Sequence, residues 1–255
     1  RIFSMTIFKD YSEKFSNIKM TRTDGVLELM FHSAGQSLEW DLEVHSQLPN
    51  AFLDIARDQK TEVVIMTGCG QDFSGPRPSP EYKPGKASAN EWDNIYREGK
   101  ALLMNLLDIE VPVIAAVNGP ALRHCEIPLL SDIVIASETA VFQDSAHFSN
   151  DMIPGDGMHI VMPMLLGPNR ARYFLLTGQT LSATEAKKLG LIAEILPPQK
   201  LMNRAYDLAE ILLRQSRLTR RYSRIALTQS IRKQMHDLLG YGLALEGLGI
   251  LAPKD

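Results

Sequence analysis

The residues able to do chemistry gather between Pro112 and His159. His124 and Glu126 follow an apolar segment that stops at Val117-Asn-Gly-Pro120. Gln143-Asp144 and His147 follow Val141-Phe142, and Pro154-Gly-Asp156-Gly-Met-His159 comes next. A histidine held by a carboxylate is a general base: the acid fixes the tautomer and stabilises the imidazolium that forms. His147 with Asp156 or Asp144 is the best local pair. Asp156 lies between two glycines, where the backbone can turn sharply and present the carboxylate, although Gly-Asp-Gly is also an ordinary tight turn. Two histidines and an acid raise the question of a metal. Their spacing matches no zinc or iron pattern, and no metal is expected. Trp40 offers a flat apolar wall and one N–H donor, or simply core packing. His45 opens a helix, and His32 and His236 read as structural.

Several other chemistries have no support. GxGxxG and GxxxxGK[ST] are absent, so no nucleotide cofactor is expected. HExxH and GxSxG are absent as well. The only cysteines, Cys69 and Cys125, form neither a disulfide framework nor a CxxC site. A net charge of −3 provides no basic field for nucleic acid. The densest basic cluster, Arg217, Arg220, Arg221 and Arg224, reads as a solvated helix face. The start, Arg1-Ile-Phe-Ser-Met5, lacks an apolar signal core, and no apolar run approaches the roughly 20 residues that span a bilayer. A soluble, cytoplasmic protein that binds no membrane is the expectation.

The elements that must position these residues are strands alternating with helices. Val26–Phe31, Glu62–Thr67, Val113–Val117 and Ile133–Ala136 are short apolar runs. Continuous rather than alternating apolar character implies burial on both faces, as in a parallel sheet. His45–Ile55 and Glu91–Leu107 carry helical patterns between them. Residues 73–90, with four prolines, read as a long irregular loop of the kind that covers a site. Beyond residue 160 the chain turns helical. Ser182-Ala-Thr-Glu185 is a capping box and Gly190 suits the end of its helix. Gln199–Arg214 is amphipathic, and Leu218–Leu251 reads as helix. In open α/β sheets ligands bind beyond the carboxyl ends of the strands, which is where the histidines and acids fall.

At Val111-Pro-Val-Ile-Ala-Ala-Val-Asn-Gly-Pro120 the sequence resembles the crotonase (enoyl-CoA hydratase/isomerase) superfamily. Ser131–Ala136, Arg172–Gly178 and Leu181–Glu194 extend the resemblance in order. It implies an α/β fold in one domain: a ββα spiral over about residues 15–200 and a helical C-terminal region over about 200–255. It also implies trimers, often paired as hexamers. Most relatives hold an acyl-CoA thioester oxygen with two backbone N–H groups, one after Phe73 and one from a Gly pair after Gly119-Pro-Ala121. Here the first loop reads Phe73-Ser-Gly-Pro-Arg-Pro-Ser-Pro80 and the second Leu122-Arg-His-Cys125. Proline has no N–H to donate, and the Gly pair is missing.

Phe142-Gln-Asp-x-x-His147, Ile153-Pro-Gly-Asp-Gly-x-His159, Ser37-Leu-x-Trp40 and His124-x-Glu-Ile-Pro128 instead resemble the β-diketone hydrolase branch, the 6-oxocamphor hydrolase group. That resemblance implies His147 and Asp156 as the catalytic dyad. Glu246, His45 and His124 would share the pocket, and Trp40 and Tyr82 would form substrate-binding walls. It implies retro-Claisen hydrolysis of a cyclic or bicyclic 1,3-diketone to a keto acid. Water is activated by His147, and no cofactor is required. The rivals are a CoA-thioester enzyme and a non-catalytic oligomeric scaffold.

Overall fold

Asp24 and Gly25 both have positive φ, 49° and 83°. This is the two-residue turn whose twist matches an antiparallel hairpin. They join β1 (Ile18–Thr23) to β2 (Val26–Phe31) in the computed structural model, which describes residues 7–75 and 87–252. Sequence reading found β2 but not β1. β1 alternates buried Ile18 and Met20 with exposed Lys19 and Thr21, whereas the strands sought were continuous apolar runs.

The remaining strands are β3 (Val63–Gly68), β4 (Val113–Val117), β5 (Ile133–Ser137), β6 (Val141–Phe142), β7 (Leu181–Ser182) and β8 (Glu194–Leu196). The main sheet runs β1-β2-β3-β4-β5-β8, antiparallel only between β1 and β2. A second ribbon lies beside it. Bridges link Ser74 to Ala121 and Ala121 to Phe142, and β6 pairs with β7. Each of β3, β4 and β5 is therefore followed by a second extended segment, and successive turns stack. This is the ββα spiral the sequence implied. The strands are buried on both faces, as their apolar runs required. Leu29, Met66, Ala115 and Ala136 face one core, while Val63, Ile65, Ile114 and Ile135 face Leu201, Ala205 and Ala209.

The helices are α1 (Phe8–Tyr11), α2 (Leu42–Arg57), α3 (Ala89–Asp108), α4 (Glu126–Leu129), α5 (Met158–Leu166), α6 (Pro168–Thr177), α7 (Ala183–Lys188), α8 (Pro198–Leu213) and α9 (Arg217–Leu251). Asp41 caps α2 by accepting from the Val44 amide. Ser88 and Glu91 form a capping box, so α3 starts inside the stretch expected to be loop. The expected box of Ser182 and Glu185 opens α7. α9 packs along α3 and brings Glu246 to the site.

The arginine cluster is a solvated face only in part: Arg217 is exposed and Arg221 half-buried. Arg220 and Arg224 are buried. Arg220 pairs with Glu62 at the start of β3, and Arg224 pairs with Asp132 at 2.5 Å, just before β5. Arg224 also donates to the carbonyls of Ile109 and Leu106 at the end of α3, where the last turn leaves carbonyls short of full helical pairing. Sequence alone could not place these acids, which lie far away along the chain. Among the described residues no helix is long and apolar enough to cross a membrane.

Candidate active site

Three histidines converge, and each has its Nδ1 against its own carboxylate. His45, on α2, lies 3.3 Å from Oε2 of Glu98 on α3. His124, just before α4, lies 2.7 Å from Oε1 of Glu126. His147, after β6, lies 2.6 Å from Oδ1 of Asp144. A ring whose Nδ1 is engaged in this way can present only Nε2 to a substrate.

His124 is held by an unusual backbone. Its φ is 52°, a left-handed conformation that favours glycine and costs an ordinary residue about 1 kcal/mol or more. The loop where relatives were expected to carry a Gly pair thus keeps a glycine-like backbone but places an imidazole on it. Trp40 fixes the ring from the side, with centroids 3.9 Å apart and planes at 33°. Trp40 is itself buried and backs His124, so His124 is the group that borders the cavity. Trp40, expected as a substrate wall, thus stands one layer behind His124.

Asp156 reaches the cluster because Gly155 and Gly157 let it. A Cβ on Gly155 would fall 2.1 Å from the carbonyl oxygen of Gly242, on α9. Gly157 has φ of 123°. The Gly-Asp-Gly segment is therefore both a tight turn and the platform for the carboxylate. Oδ2 of Asp156 lies 3.3 Å from Nε2 of His147 and 3.4 Å from Nδ1 of His124. Asp156 consequently bridges the two rings, and Asp144 takes the orienting place behind His147. Of the two acids the sequence offered to His147, Asp144 meets Nδ1 and Asp156 faces Nε2. Oε1 of Glu246, on α9, lies 3.6 Å from the same nitrogen. His159 is drawn away from the cluster. Its ring nitrogens face the carbonyls of Pro154 and Leu238 at 3.1 and 3.2 Å, tying the Asp156 loop to α9.

These groups surround a cavity of about 30 Å³ among the described residues. His45, His124, His147, Asp156 and Glu246 supply its polar side, together with the buried Arg123. Trp92, Ile95, Met152 and Leu243 supply the apolar side. The volume suits one or two waters. Larger surface hollows, about 620 Å³ beside Tyr173 and about 370 Å³ beside Arg97, are open grooves without such a cluster. Tyr82 lies outside the described residues. Sequence reasoning missed Glu98, Trp92 and Arg123. The first two come from α3, and no local pattern connects them to the histidines. Arg123 sits beside His124 and was visible as a neighbour.

The electrostatics follow from burial. Burial opposes a charge on His147, but the carboxylates of Asp156 and Asp144 outweigh it and hold the ring well above its ordinary range. Burial, with Arg123 and His147 nearby, pushes His124 down to about 4 against the pull of Asp156. Asp156 is held well below the usual carboxylate range: burial raises it, but His147 and His124 overcome that. Burial and the charge of Asp156 push Glu246 up to about 7, against His147. Glu126 is pushed well above its usual range by burial first and then by Asp156. Ligand atoms of His124, Glu126 and Asp156 lie within 4.8 Å of one another, the one such grouping among the described residues. A cation there would have to break the 2.7 Å contact between His124 and Glu126.

Four backbone amides near the cavity are engaged. The amides of Ser74, Gly75, Ala121 and Leu122 donate to Pro120, Leu38, Val141 and Ser74 carbonyls. The polar face of the cavity is thus built from titratable side chains.

Comparison with known proteins agrees with this architecture. The family model described as enoyl-CoA hydratase/isomerase matches residues 22–246. The solved structure of a β-diketone hydrolase from the cyanobacterium Anabaena, bound to (S)-3-oxocyclohexyl acetic acid, is 45% identical. It covers 94% of this chain and 96% of that chain, with a TM-score of 0.92. An enoyl-CoA hydratase/isomerase structure from Mycobacterium paratuberculosis shares the fold at 24% identity, with a TM-score of 0.85 over 93% of this chain and 94% of that one. A probable enoyl-CoA hydratase of Mycobacterium tuberculosis is 33% identical over 185 residues, 68% of this chain and 62% of its own length. The chain therefore spans less than two thirds of the curated relatives it first matches.

Proposed function

This chain belongs to the enoyl-CoA hydratase/isomerase family, and we propose that within it the chain is a hydrolase cleaving a C–C bond of a cyclic or bicyclic 1,3-diketone. The observation that carries this reading is the cavity itself. It is lined by three histidines and two carboxyls, and the amides flanking Gly119-Pro-Ala121 are engaged elsewhere. The 45% identical Anabaena hydrolase supports it. The keto acid bound there is what a bicyclic 1,3-diketone yields on hydrolysis: joining its carboxyl carbon to the ring carbon beyond the ketone rebuilds the diketone.

In the mechanism we propose, a water in the cavity gives its proton to the unit of His147, Asp156 and Glu246. That unit has base capacity near neutral pH because Glu246 is pushed up to about 7. The hydroxide adds to one carbonyl. The C–C bond then breaks, leaving a carboxylic acid and an enolate stabilised by the second carbonyl. The same unit returns the proton to carbon, with Asp144 keeping His147 in place throughout. His45 and Glu98 flank the reacting carbonyl. The substrate carries its own electron sink, so the reaction needs no cofactor. A six-membered ring exceeds the present cavity, so binding must displace its apolar lining, Met152 and Leu243 above all. The protein is expected to act as a cytoplasmic trimer or hexamer, and the exposed Leu227, Tyr241 and Leu248 on α9 fit an assembly surface.

The test is turnover of a panel of monocyclic and bicyclic 1,3-diketones, followed by loss of the enol absorbance. Hydrolysis in D₂O should place deuterium on the carbon that leaves as the enolate. No turnover across the panel would overturn the reading. The names of the curated relatives favour a second reading, CoA-thioester chemistry. Retention on immobilised CoA together with hydration of an enoyl-CoA would select it.

A further inference from the structure

We propose that Glu126 is a positioning residue: a neutral carboxylic acid whose O–H donates to Nδ1 of His124, placing the ring proton on Nε2 so that an uncharged imidazole donates to the oxyanion. The oxyanion part rests on the function proposed above, whereas the tautomer part does not.

Glu126 opens α4 and is fully buried, at 0% exposure. Oε1 lies 2.7 Å from Nδ1 of His124, and Oε2 has no hydrogen-bond partner. Asp144 and Asp156 also carry an orphaned oxygen, but each touches the imidazolium of His147. Glu126 is held instead by the uncharged ring of His124, where a bare carboxylate is among the most costly groups a protein can hold. A neutral acid leaves only a carbonyl oxygen bare. Charge balance points the same way. The buried acids around the cavity are Glu126, Asp144, Asp156 and Glu246, and the buried cations are Arg123 and the imidazolium of His147. Asp144 and Asp156 lie closest to His147, and two cations cannot balance four ionised acids. Neutrality then assigns a proton to Glu126 and another to Glu246. Burial and the neighbouring Asp156 charge both favour the protonated form of Glu126.

A protonated carboxyl has one hydrogen to donate, and Nδ1 of His124 is the acceptor within reach. The other acid near that nitrogen, Asp156, stands farther off, at 3.4 Å. With Nδ1 accepting, the proton of a neutral His124 sits on Nε2. His124 stays uncharged at neutral pH because burial holds it near 4. A neutral imidazole acting as an electrophilic donor has precedent in general enzymology. The nearby backbone amides of Ser74, Gly75, Ala121 and Leu122 donate to other carbonyls, which leaves the imidazole as a donor built for the cavity. The left-handed backbone of His124 and the Trp40 ring hold the donor's direction.

Two measurements on the intact protein test the tautomer without any substrate. ¹⁵N NMR of histidine-labelled protein should show His124 protonated at Nε2 and bare at Nδ1. Infrared difference spectra, taken above the titration of Glu246, should show a carboxylic C=O band that is lost in Glu126→Gln. A proton on Nδ1, or no band lost, would overturn the proposal. In turnover, Glu126→Gln keeps an N–H donor for Nδ1 and should stay within about tenfold of the parent. Glu126→Met removes the donor and should lower kcat by about 10²-fold with little change in KM, the size of one lost oxyanion donor. Unchanged kcat in folded Glu126→Met would also overturn it. Should Glu126→Met not fold, the two spectra still decide. Should the spectra agree while no diketone is turned over, the tautomer stands and the function reading fails.

Discussion

Nδ1 of His147 lies 2.6 Å from Oδ1 of Asp144, three residues earlier, while Asp156 meets the ring's other nitrogen. The two acids therefore meet opposite nitrogens of one ring, and in the proposed mechanism Asp144 orients it while Asp156 belongs to the proton-transfer unit. Asp144→Asn, which keeps the shape but removes the charge, should lower diketone turnover by about 10²–10⁴-fold. Steady-state kinetics with circular dichroism as a check on folding measures this. An Asp144→Asn variant as fast as the parent would return the orienting role to Asp156.

His147→Ala and Asp156→Asn should each reduce kcat by about 10²-fold or more while the fold persists. Both remove a member of one proton-transfer unit, so the double variant should be little worse than either single one. Additive losses in kcat would mean the two act in separate steps.

Glu246 sets the pH response. Its folded-state value, about 7, lies above the ordinary 4.5. Base capacity should therefore rise with pH through about 7, and Glu246→Gln should abolish that limb of the kcat profile. The stability consequence has the opposite sign. A raised value means stability is fully present below about 4.5 and declines as pH rises through about 7, when the buried carboxyl ionises. Melting temperatures at pH 5 and 8 should differ less in Glu246→Gln than in the parent.

Gly155→Ala should damage both stability and activity. The new Cβ would strike the carbonyl of Gly242, where a real contact of 2.1 Å is impossible. Separating the loop from α9 moves Asp156 away from Glu246. A loss of about 1–3 kcal/mol is expected, read by denaturant titration, together with a fall in kcat. A neutral Gly155→Ala would mean that α9 can slide without disturbing the site.

Much of the fold was legible because its strands are buried on both faces. Runs such as Val113–Val117 leave no alternative to a central parallel strand. The polar residues at their ends, His124, Asp144, His147 and Asp156, sit close in sequence, so local spacing exposed them as a group. The alternating edge strand β1 and the early start of α3 at Ser88 escaped because their signals are short and local, carried by period-two alternation and by one capping box.

The sequence by itself determined that titratable side chains gather in the His124–Asp156 stretch, and that the loop after Gly119-Pro-Ala121 carries no Gly pair. Only the tertiary structure decided how they pair. Whether Asp144 or Asp156 orients His147 depends on which ring nitrogen each acid meets, and spacing along a chain says nothing about that. Glu98 reaches His45 from 53 residues away, and Glu246 reaches His147 from the last helix. The left-handed turn at His124, the stacking of Trp40 and the Gly155–Gly242 approach arise only when the spiral closes against α9. Local sequence encodes the groups, whereas direction, burial and charge come from long-range packing.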